Sequence, residues 1–311
     1  MTISEHMETF HGLPIFEFPE PGESPALPTA DAAAWRISVF YDADETWAQA
    51  FGRFLAAVDS TAVRALVVGS WADEPGEGSE EVVAALVEAK DRFPALRALF
   101  LGDITYEESE ISWINQSDVT PLLTAFPQLT EFGVRGGDGL VFPPITHTAL
   151  RSLTVETGGL GGEVVRGIGA SDLPALERLD LWLGVSWYGG TATVADLEPF
   201  LSGTRLPRLT TLGLHNSEIQ DEIAIAIAAA PVVARLSTLD LSMGTLGDVG
   251  AEALLAGQPL THLRTLDLHH HFMTQAMADR VVAALQPAGV TVDVSESETA
   301  DAEDRYTAVA E

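Results

Sequence analysis

The pattern of leucines between residues 173 and 271 repeats one short phrase. The phrase is Leu-x-x-Leu-x-Leu, and its clearest copies begin at Leu176, Leu209, Leu236 and Leu263. Side chains alternate between the two faces of a strand, so the last two leucines of each copy point to one face and the residue between them to the other. Since one such strand is not stable alone, the repeated copies predict strands stacked side by side in a parallel sheet.

Related phrases extend the pattern towards the start of the chain. The first apolar positions of all copies are Val63, Leu96, Leu129, Leu150, Leu176, Leu209, Leu236 and Leu263, which gives steps of 33, 33, 21, 26, 33, 27 and 27 residues. A step near 27 leaves room for a strand, two loops and a helix of about three turns. The short step after Leu129 holds glycines at 136–139 and two prolines at 143–144, so no full helix is expected there.

Apolar residues at helical spacing predict helices between the strands. The clearest such segments are residues 47–58, 79–92, 219–230, 246–256 and 274–285. Ser79 is the predicted N-cap of the second of these helices. A last strand is predicted at residues 290–294. The alternation of strands and helices predicts a mixed α/β fold.

Three regions are expected along the 311 residues. Residues 1–33 are rich in Pro and Gly and should lie extended over the first repeat, covering its open apolar end. Residues 34–295 form the repeat solenoid. Residues 296–311 form an acidic C-terminal tail, which is expected to be partly disordered, although Tyr306 and Val309 could dock back onto the solenoid.

The phrases resemble those of the leucine-rich repeat superfamily over residues 35–295, most closely its long-repeat, ribonuclease-inhibitor-like type. The resemblance implies a right-handed α/β solenoid, with a parallel sheet on the concave side and helices on the convex side. The segments Phe10-His-Gly-Leu-Pro14 and Asp304-Arg-Tyr306-Thr-Ala-Val also resemble the ends of an uncharacterised bacterial, actinobacterial-looking leucine-rich repeat family. That second resemblance implies a fold and a bacterial origin only.

One feature of the superfamily is missing from these repeats. The Asn that usually follows three residues after the last leucine of the phrase is replaced here by Gly184, Ser217, Gly244 and His271. A ladder of stacked Asn side chains is therefore not expected, and the backbone groups of the loops need other partners.

Charge is the most prominent bulk property of the sequence. It holds 46 Asp and Glu against 16 Lys and Arg, for a net charge of −30. Such a surface repels phosphate backbones and anionic lipids, which disfavours nucleic acid and membranes as partners, and it favours a basic protein, a basic peptide or a cation. The alternative is that the acidity only keeps the protein soluble.

Three further observations favour a cytoplasmic location. The sequence has no Cys, which excludes disulfides and thiolate metal sites. The first ten residues lack the features of a secretory signal. The longest apolar run, residues 223–234, contains Pro231 and is shorter than the roughly 20 residues that cross a bilayer. The oligomeric state is not indicated by the sequence.

Sequence motifs of catalysis are absent. A phosphate-binding P-loop is excluded because the single lysine, Lys90, is followed by Asp91. The segment Gly184-Val-Ser186-Trp-Tyr-Gly189 places its second glycine one residue too late for a nucleophile elbow, which indicates an aromatic loop instead. We therefore expect a non-catalytic protein without a cofactor.

The residues between and after the leucines of each phrase define a candidate binding surface. Aligned phrases place in one column Phe100, Gly133, Thr154, Asp180, Gly213, Asp240 and Asp267. They place in the next column Gly102, Arg135, Glu156, Trp182, His215, Ser242 and His269. The residues expected to contact a basic protein or peptide are Trp182, Trp187, Tyr188, Asp180, His215, Asp240, Asp267 and His269. Aromatic side chains concentrate binding energy, which makes the first three the expected anchors.

Two other functions remain open. Neighbouring strands lie about 4.8 Å apart, so Asp240, Asp267, His215 and His269 could converge on a Zn, Mn or Ni ion in a metal-binding protein or a metal-dependent hydrolase. Against this, an Asp between two leucines is commonly a solvated residue, and adjacent histidines on a strand point to opposite sides. The third possibility is an architectural subunit of a larger complex.

Overall fold

A computed structural model describes residues 3–40, 42–71, 76–301 and 304–311. Its twelve strands form one sheet in which their order along the chain is also their order in space. The strands are β1 (Thr9–Phe10), β2 (Leu13–Glu17), β3 (Ala34–Ile37), β4 (Ala65–Val68), β5 (Ala98–Leu101), β6 (Glu131–Arg135), β7 (Ser152–Glu156), β8 (Arg178–Gly184), β9 (Thr211–Ser217), β10 (Thr238–Asp240), β11 (Thr265–Asp267) and β12 (Thr291–Asp293). Strands β1 and β2 are antiparallel, and the later neighbours are parallel.

Helices connect most of the parallel strands. They are α1 (Trp47–Ala57), α2 (Glu80–Glu88), α3 (Thr120–Ala125), α4 (Gly162–Ala170), α5 (Glu198–Leu201), α6 (Gln220–Ile227), α7 (Asp248–Ala256) and α8 (Gln275–Leu285). The predicted mixed α/β fold is confirmed. Within the described part of the chain, no helix is long and apolar enough to cross a membrane.

The leucines of the phrases set the register of the sheet. The middle leucine of each phrase is aligned with its neighbours from β8 to β11: Leu179, Leu212, Leu239 and Leu266. These leucines are at most 1% exposed and share one core with buried residues of the helices, such as Ile223 and Val281. Each phrase is therefore held by the burial of its own leucines between the sheet and the helices.

The predicted helices are found close to their expected bounds. Helices α6, α7 and α8 lie within the predicted segments, and residues 136–151 between β6 and β7 contain no helix, as the glycines and prolines predicted. Ser79 precedes α2, but its side chain does not cap the helix. Its hydroxyl instead lies 2.8 Å from that of Ser117.

Aromatic side chains of the first segment pack against the core at β3 and α1. Phe16 and Phe18 pack edge-on against Trp35 and Phe54, with ring centroids 5.3 Å and 5.4 Å apart. The segment also does something that the sequence did not predict. Phe10 reaches the opposite face of the sheet and packs edge-on against Phe100, so residues near the start of the chain lie on both faces.

A buried ion-pair cluster lies beneath this segment. Asp103 is 0% exposed, and its carboxylate accepts a 3.0 Å hydrogen bond from Nε of Arg36 and lies 3.4 Å from a guanidinium nitrogen of Arg135. Each arginine also contacts a second carboxylate, Glu17 for Arg36 and Glu156 for Arg135. Buried charges of this kind are tolerated because they are paired.

Candidate partner-binding face

The two predicted columns of side chains lie side by side on one face of the sheet. Asp180 is in register with Gly213, which is in register with Asp240, which in turn is in register with Asp267. Trp182 is in register with His215 in the next column. We call the sheet surface that carries these columns the second face, since the leucines occupy the first.

Asp180 and His215 form a buried pair on the second face. They are 6% and 5% exposed, and Nε2 of His215 lies 2.6 Å from Oδ1 of Asp180. Trp182 is half-buried and packs edge-on against the imidazole, with centroids 5.7 Å apart. These side chains satisfy one another, so they support the shape of the face more than they offer free groups to a partner.

Ser242 continues this chain of polar contacts. Its hydroxyl lies 3.4 Å from Nδ1 of His215 and 2.6 Å from Oδ1 of Asp240, to which it donates. The order Asp, His, Ser superficially matches a hydrolase triad. However, Ser242 is 0% exposed and donates its proton to a carboxylate rather than to the imidazole, so this serine is not placed as a nucleophile.

The aspartates of the last strands end those strands with tight turns. Oδ1 of Asp240 accepts a hydrogen bond from the backbone N of Ser242, and Oδ1 of Asp267 accepts one from the backbone N of His269, each at 3.0 Å. Asp293 makes the same contact with Ser295 at 2.9 Å. These carboxylates replace backbone partners at the turn, a role that the sequence prediction did not include.

The arrangement does not favour the metal hypothesis. Asp240, Asp267, His215 and His269 lie on the same face, but each imidazole is engaged with an aspartate, His215 with Asp180 and His269 with Asp267 at 2.8 Å. Across the residues that the structure describes, no group of three His, Asp or Glu side chains is positioned to hold a metal ion.

The charges around His215 shift its proton equilibrium. Burial lowers the pKa of His215, but the hydrogen bond and charge of Asp180, together with the charges of Asp240 and Glu156, raise the pKa above its usual 6.5. For Asp180, burial acts to raise the pKa, while His215 and Arg178 act more strongly and lower it to about 2. Both shifts favour the imidazolium–carboxylate form of the pair.

This pair predicts a pH-dependent stability. A raised pKa in the folded state gives stability that is present below the usual 6.5 of His215 and is lost as pH rises through the folded value. We expect the free energy of unfolding to fall across this window, and to fall less in His215→Gln. Denaturant unfolding of both proteins between about pH 6 and pH 9 measures the difference. Parallel profiles for the two proteins would contradict it.

The aromatic residues of the loop after β8 differ in exposure. Trp187 is 87% exposed on the short 3₁₀ turn Ser186–Tyr188. Tyr188 donates a hydrogen bond to Glu311, and this bond, with burial and the charges of Glu311 and Glu110, raises the pKa of Tyr188 to about 12. The loop thus presents an aromatic ring to solvent beside two carboxylates.

A second exposed tryptophan lies on the insertion between β5 and α3, at residues 105–118, whereas Trp187 lies on the insertion at residues 184–193, which begins at the end of β8. Trp113 is 64% exposed and belongs to the 3₁₀ turn Ile111–Trp113. The preceding residue, Ser112, donates a hydrogen bond to the backbone O of Ala310, next to the partner of Tyr188. Both insertions therefore contact the same short stretch of chain. Trp113 is not one of the predicted site residues, although its acidic neighbours in the sequence are a usable signal.

Asn216 is the site residue that sequence reasoning missed. It is 0% exposed, and its carboxamide bonds to both backbone groups of Val309. Oδ1 accepts from the N–H of Val309 at 3.0 Å, and Nδ2 donates to its C=O at 2.6 Å. It lies one residue before the position where the superfamily places its Asn. The usual spacing of the superfamily's Asn therefore does not point to Asn216.

These observations define the class of protein. A twelve-stranded sheet in chain order, whose strands carry the Leu-x-x-Leu-x-Leu phrase, is a leucine-rich-repeat-like fold. The chain is 30% identical to a protein from Bacteroides fragilis of known crystal structure, with a TM-score of 0.81 over 88% of this chain and 76% of that one. The chain belongs to the same family as that protein.

A second solved structure is similar only at a distance. It is an internalin from Listeria monocytogenes, 16% identical, with a TM-score of 0.37 over 78% of this chain and 55% of that one, which is too weak a likeness to bear on the fold. The sequence matches none of the protein-family models and none of the curated proteins with which it was compared.

Proposed function

We propose that this protein is a non-catalytic, cytoplasmic scaffold that binds a basic protein or peptide. The single observation that carries the proposal is the exposed Trp187, 87% accessible on a turn next to the acidic residues Glu110 and Glu311. A large aromatic ring that is exposed to water on a turn next to the end of a strand is the kind of residue that concentrates binding energy in interfaces.

The repeat architecture supports the proposal. A stack of strands holds its contact residues in place before binding, so little conformational entropy is lost when a partner docks. Parallel strands joined by helices are right-handed crossovers in about 98% of cases, and we propose that the stack is a right-handed solenoid with the second face on its concave side. The net charge of −30 favours a partner with Lys and Arg opposite the acidic loops.

The test compares two exposed apolar residues, Trp187 on the turn after β8 and Val249 on helix α7. Partners are captured from an extract of the source organism on the wild-type protein, identified, purified and titrated. We expect Trp187→Ala to weaken binding at least about tenfold, the effect of losing about 1.4 kcal/mol, and affinity to fall as salt is added. The control is Val249→Ala in α7, at a residue 65% exposed, which should leave affinity unchanged. Equal affinities for the wild type and Trp187→Ala would overturn the proposal.

A further inference from the structure

Residues 304–311 lie in a groove on the second face. Ala308 and Val309 are each 2% exposed, and they form a small apolar cluster with Ile111 and Met243, separate from the main core. Trp182 and Ile3 pack against the same cluster. Ala308 and Val309 are thus enclosed by side chains from four separate parts of the chain.

The groove holds this segment mainly through its backbone. Asn216 pairs with both the N–H and the C=O of Val309, as a neighbouring strand would. The N–H of Ala308 donates to the backbone O of Met243 at 2.8 Å. Ser112 donates to the backbone O of Ala310, and Nε2 of His270 lies 3.2 Å from the backbone O of Tyr306. Backbone contacts of this kind accept many sequences in the bound chain.

Three of the groove residues share an unusual backbone conformation. Asn216 is the second-last residue of β9, and Met243 and His270 lie three residues after the ends of β10 and β11; their φ angles are 50°, 64° and 50°. Residues other than Gly adopt this left-handed region rarely, and such positions concentrate at ligand sites. All three donate or accept a hydrogen bond with residues 306–309. The carboxyl-terminal ends of three successive strands are therefore shaped to contact the backbone of a bound segment.

We propose that this groove is a binding site for short peptide segments with two consecutive small apolar residues, and that residues 304–311 are its resident occupant. The inference deepens the proposed function and rests on it, because it assigns the class of partner: a protein segment that displaces residues 304–311. A tethered occupant has an effective concentration of order mM, so a partner segment must be present at high local concentration or bind more tightly than the resident one.

The test uses the full chain with a substitution that weakens the docking of residues 304–311 in the groove. Val309→Asp places a charge in the apolar site and should release residues 304–311. The probe is a fluorescent, end-blocked peptide with the sequence Asp-Arg-Tyr-Thr-Ala-Val-Ala-Glu of residues 304–311. Fluorescence anisotropy should show binding to Val309→Asp at least tenfold tighter than to the wild type. The control Ile225→Asp, at an exposed residue of α6, should behave like the wild type.

A second substitution tests the backbone contacts. Adding Asn216→Gly to Val309→Asp removes the carboxamide while glycine still accepts the positive φ, and the peptide should then bind at least tenfold more weakly than to Val309→Asp alone. A peptide carrying Asp in place of Val should not bind. Equal peptide affinities for Val309→Asp and the wild type, or no effect of Asn216→Gly, would overturn the inference.

A measurement on the wild type covers the case in which Val309→Asp does not fold. Hydrogen exchange of the Val309 amide should become faster in several mM of unlabelled peptide, because the peptide takes the place of the resident segment. An unchanged exchange rate would overturn the inference. Light scattering of wild type mixed with Val309→Asp should show monomers only, and a dimer would mean that the groove serves a second copy of the chain instead.

The two proposals fail in different ways. A partner that loses affinity in Trp187→Ala but binds the wild type and Val309→Asp equally would remove the groove from the account and leave the scaffold function standing. In the opposite case, the peptide binds Val309→Asp more tightly than the wild type and Asn216→Gly weakens that binding, but no partner loses affinity in Trp187→Ala. That result would support the groove as a binding site and contradict the proposed scaffold function.

Discussion

Replacing Asp103 with alanine should lower the free energy of unfolding by about 3 kcal/mol, near the lower end of the range for breaking a buried ion pair. The reason is that two buried guanidinium groups, of Arg36 and Arg135, lose the carboxylate between them. The loss should not be larger, because Arg36 keeps the carboxylates of Glu17 and Glu108, and Arg135 keeps that of Glu156. Denaturant unfolding of Asp103→Ala against the wild type measures the effect.

Asp138→Ala is the matched control for this change. Asp138 is exposed on the loop after β6, and its replacement should alter the free energy of unfolding by no more than about 0.5 kcal/mol. Similar small effects for both variants would mean that Asp103 does not hold the two arginines in the folded protein.

Gly167→Ala should destabilise the protein by about 3 kcal/mol, the upper part of the usual range for overfilling a packed site. Gly167 lies in α4, and a Cβ there would come within 1.7 Å of the backbone O of Phe142. Phe142 belongs to the stretch between β6 and β7 that lacks a helix, so the atom that would have to shift is a backbone oxygen rather than the end of a flexible side chain. Thermal and denaturant unfolding report the loss.

A Gly-to-Ala substitution at another helix position should have the opposite effect on stability. Gly52 lies in α1, and a Cβ there would meet nothing within 4 Å. Gly52→Ala should therefore stabilise the protein by about 0.5–1 kcal/mol, the difference in helix propensity between the two residues. A loss of stability in both variants, of similar size, would show that helix packing at Gly167 is not the cause.

The sheet and the position of its polar columns were predictable from sequence. The spacing of leucines such as Leu212 and Leu239 fixes which side chains are buried, and a strand shifted by one residue would expose all of them to water. The register of Asp180, Asp240 and Asp267 follows from the same alternation. Local pattern was sufficient here because each repeat makes its main contacts with the next one.

Docking of Val309 was foreseen as an option, but the positions at which the terminal segments contact the second face were not predictable. The bonds of Asn216 to Val309 join residues 93 positions apart, and the bond between Met7 and Asp103 joins residues 96 apart. No periodicity marks either end of these contacts. Trp182 shows what the pattern can and cannot predict. The alternation of side chains places Trp182 on the second face, but it does not show that residues 308 and 309 pack beside it.

The two segments outside the repeats also change how the stack holds together. In a simple array each unit contacts only its neighbours, and an end unit can detach without cost to the middle. Here Ile3 bonds to Tyr106 beyond β5, and the stretch from Tyr306 to Ala310 connects the turn after β11 with the insertion before β6. Detaching either terminal unit therefore also breaks hydrogen bonds near the centre of the array. Unfolding of an end unit is thus coupled to unfolding of the whole stack.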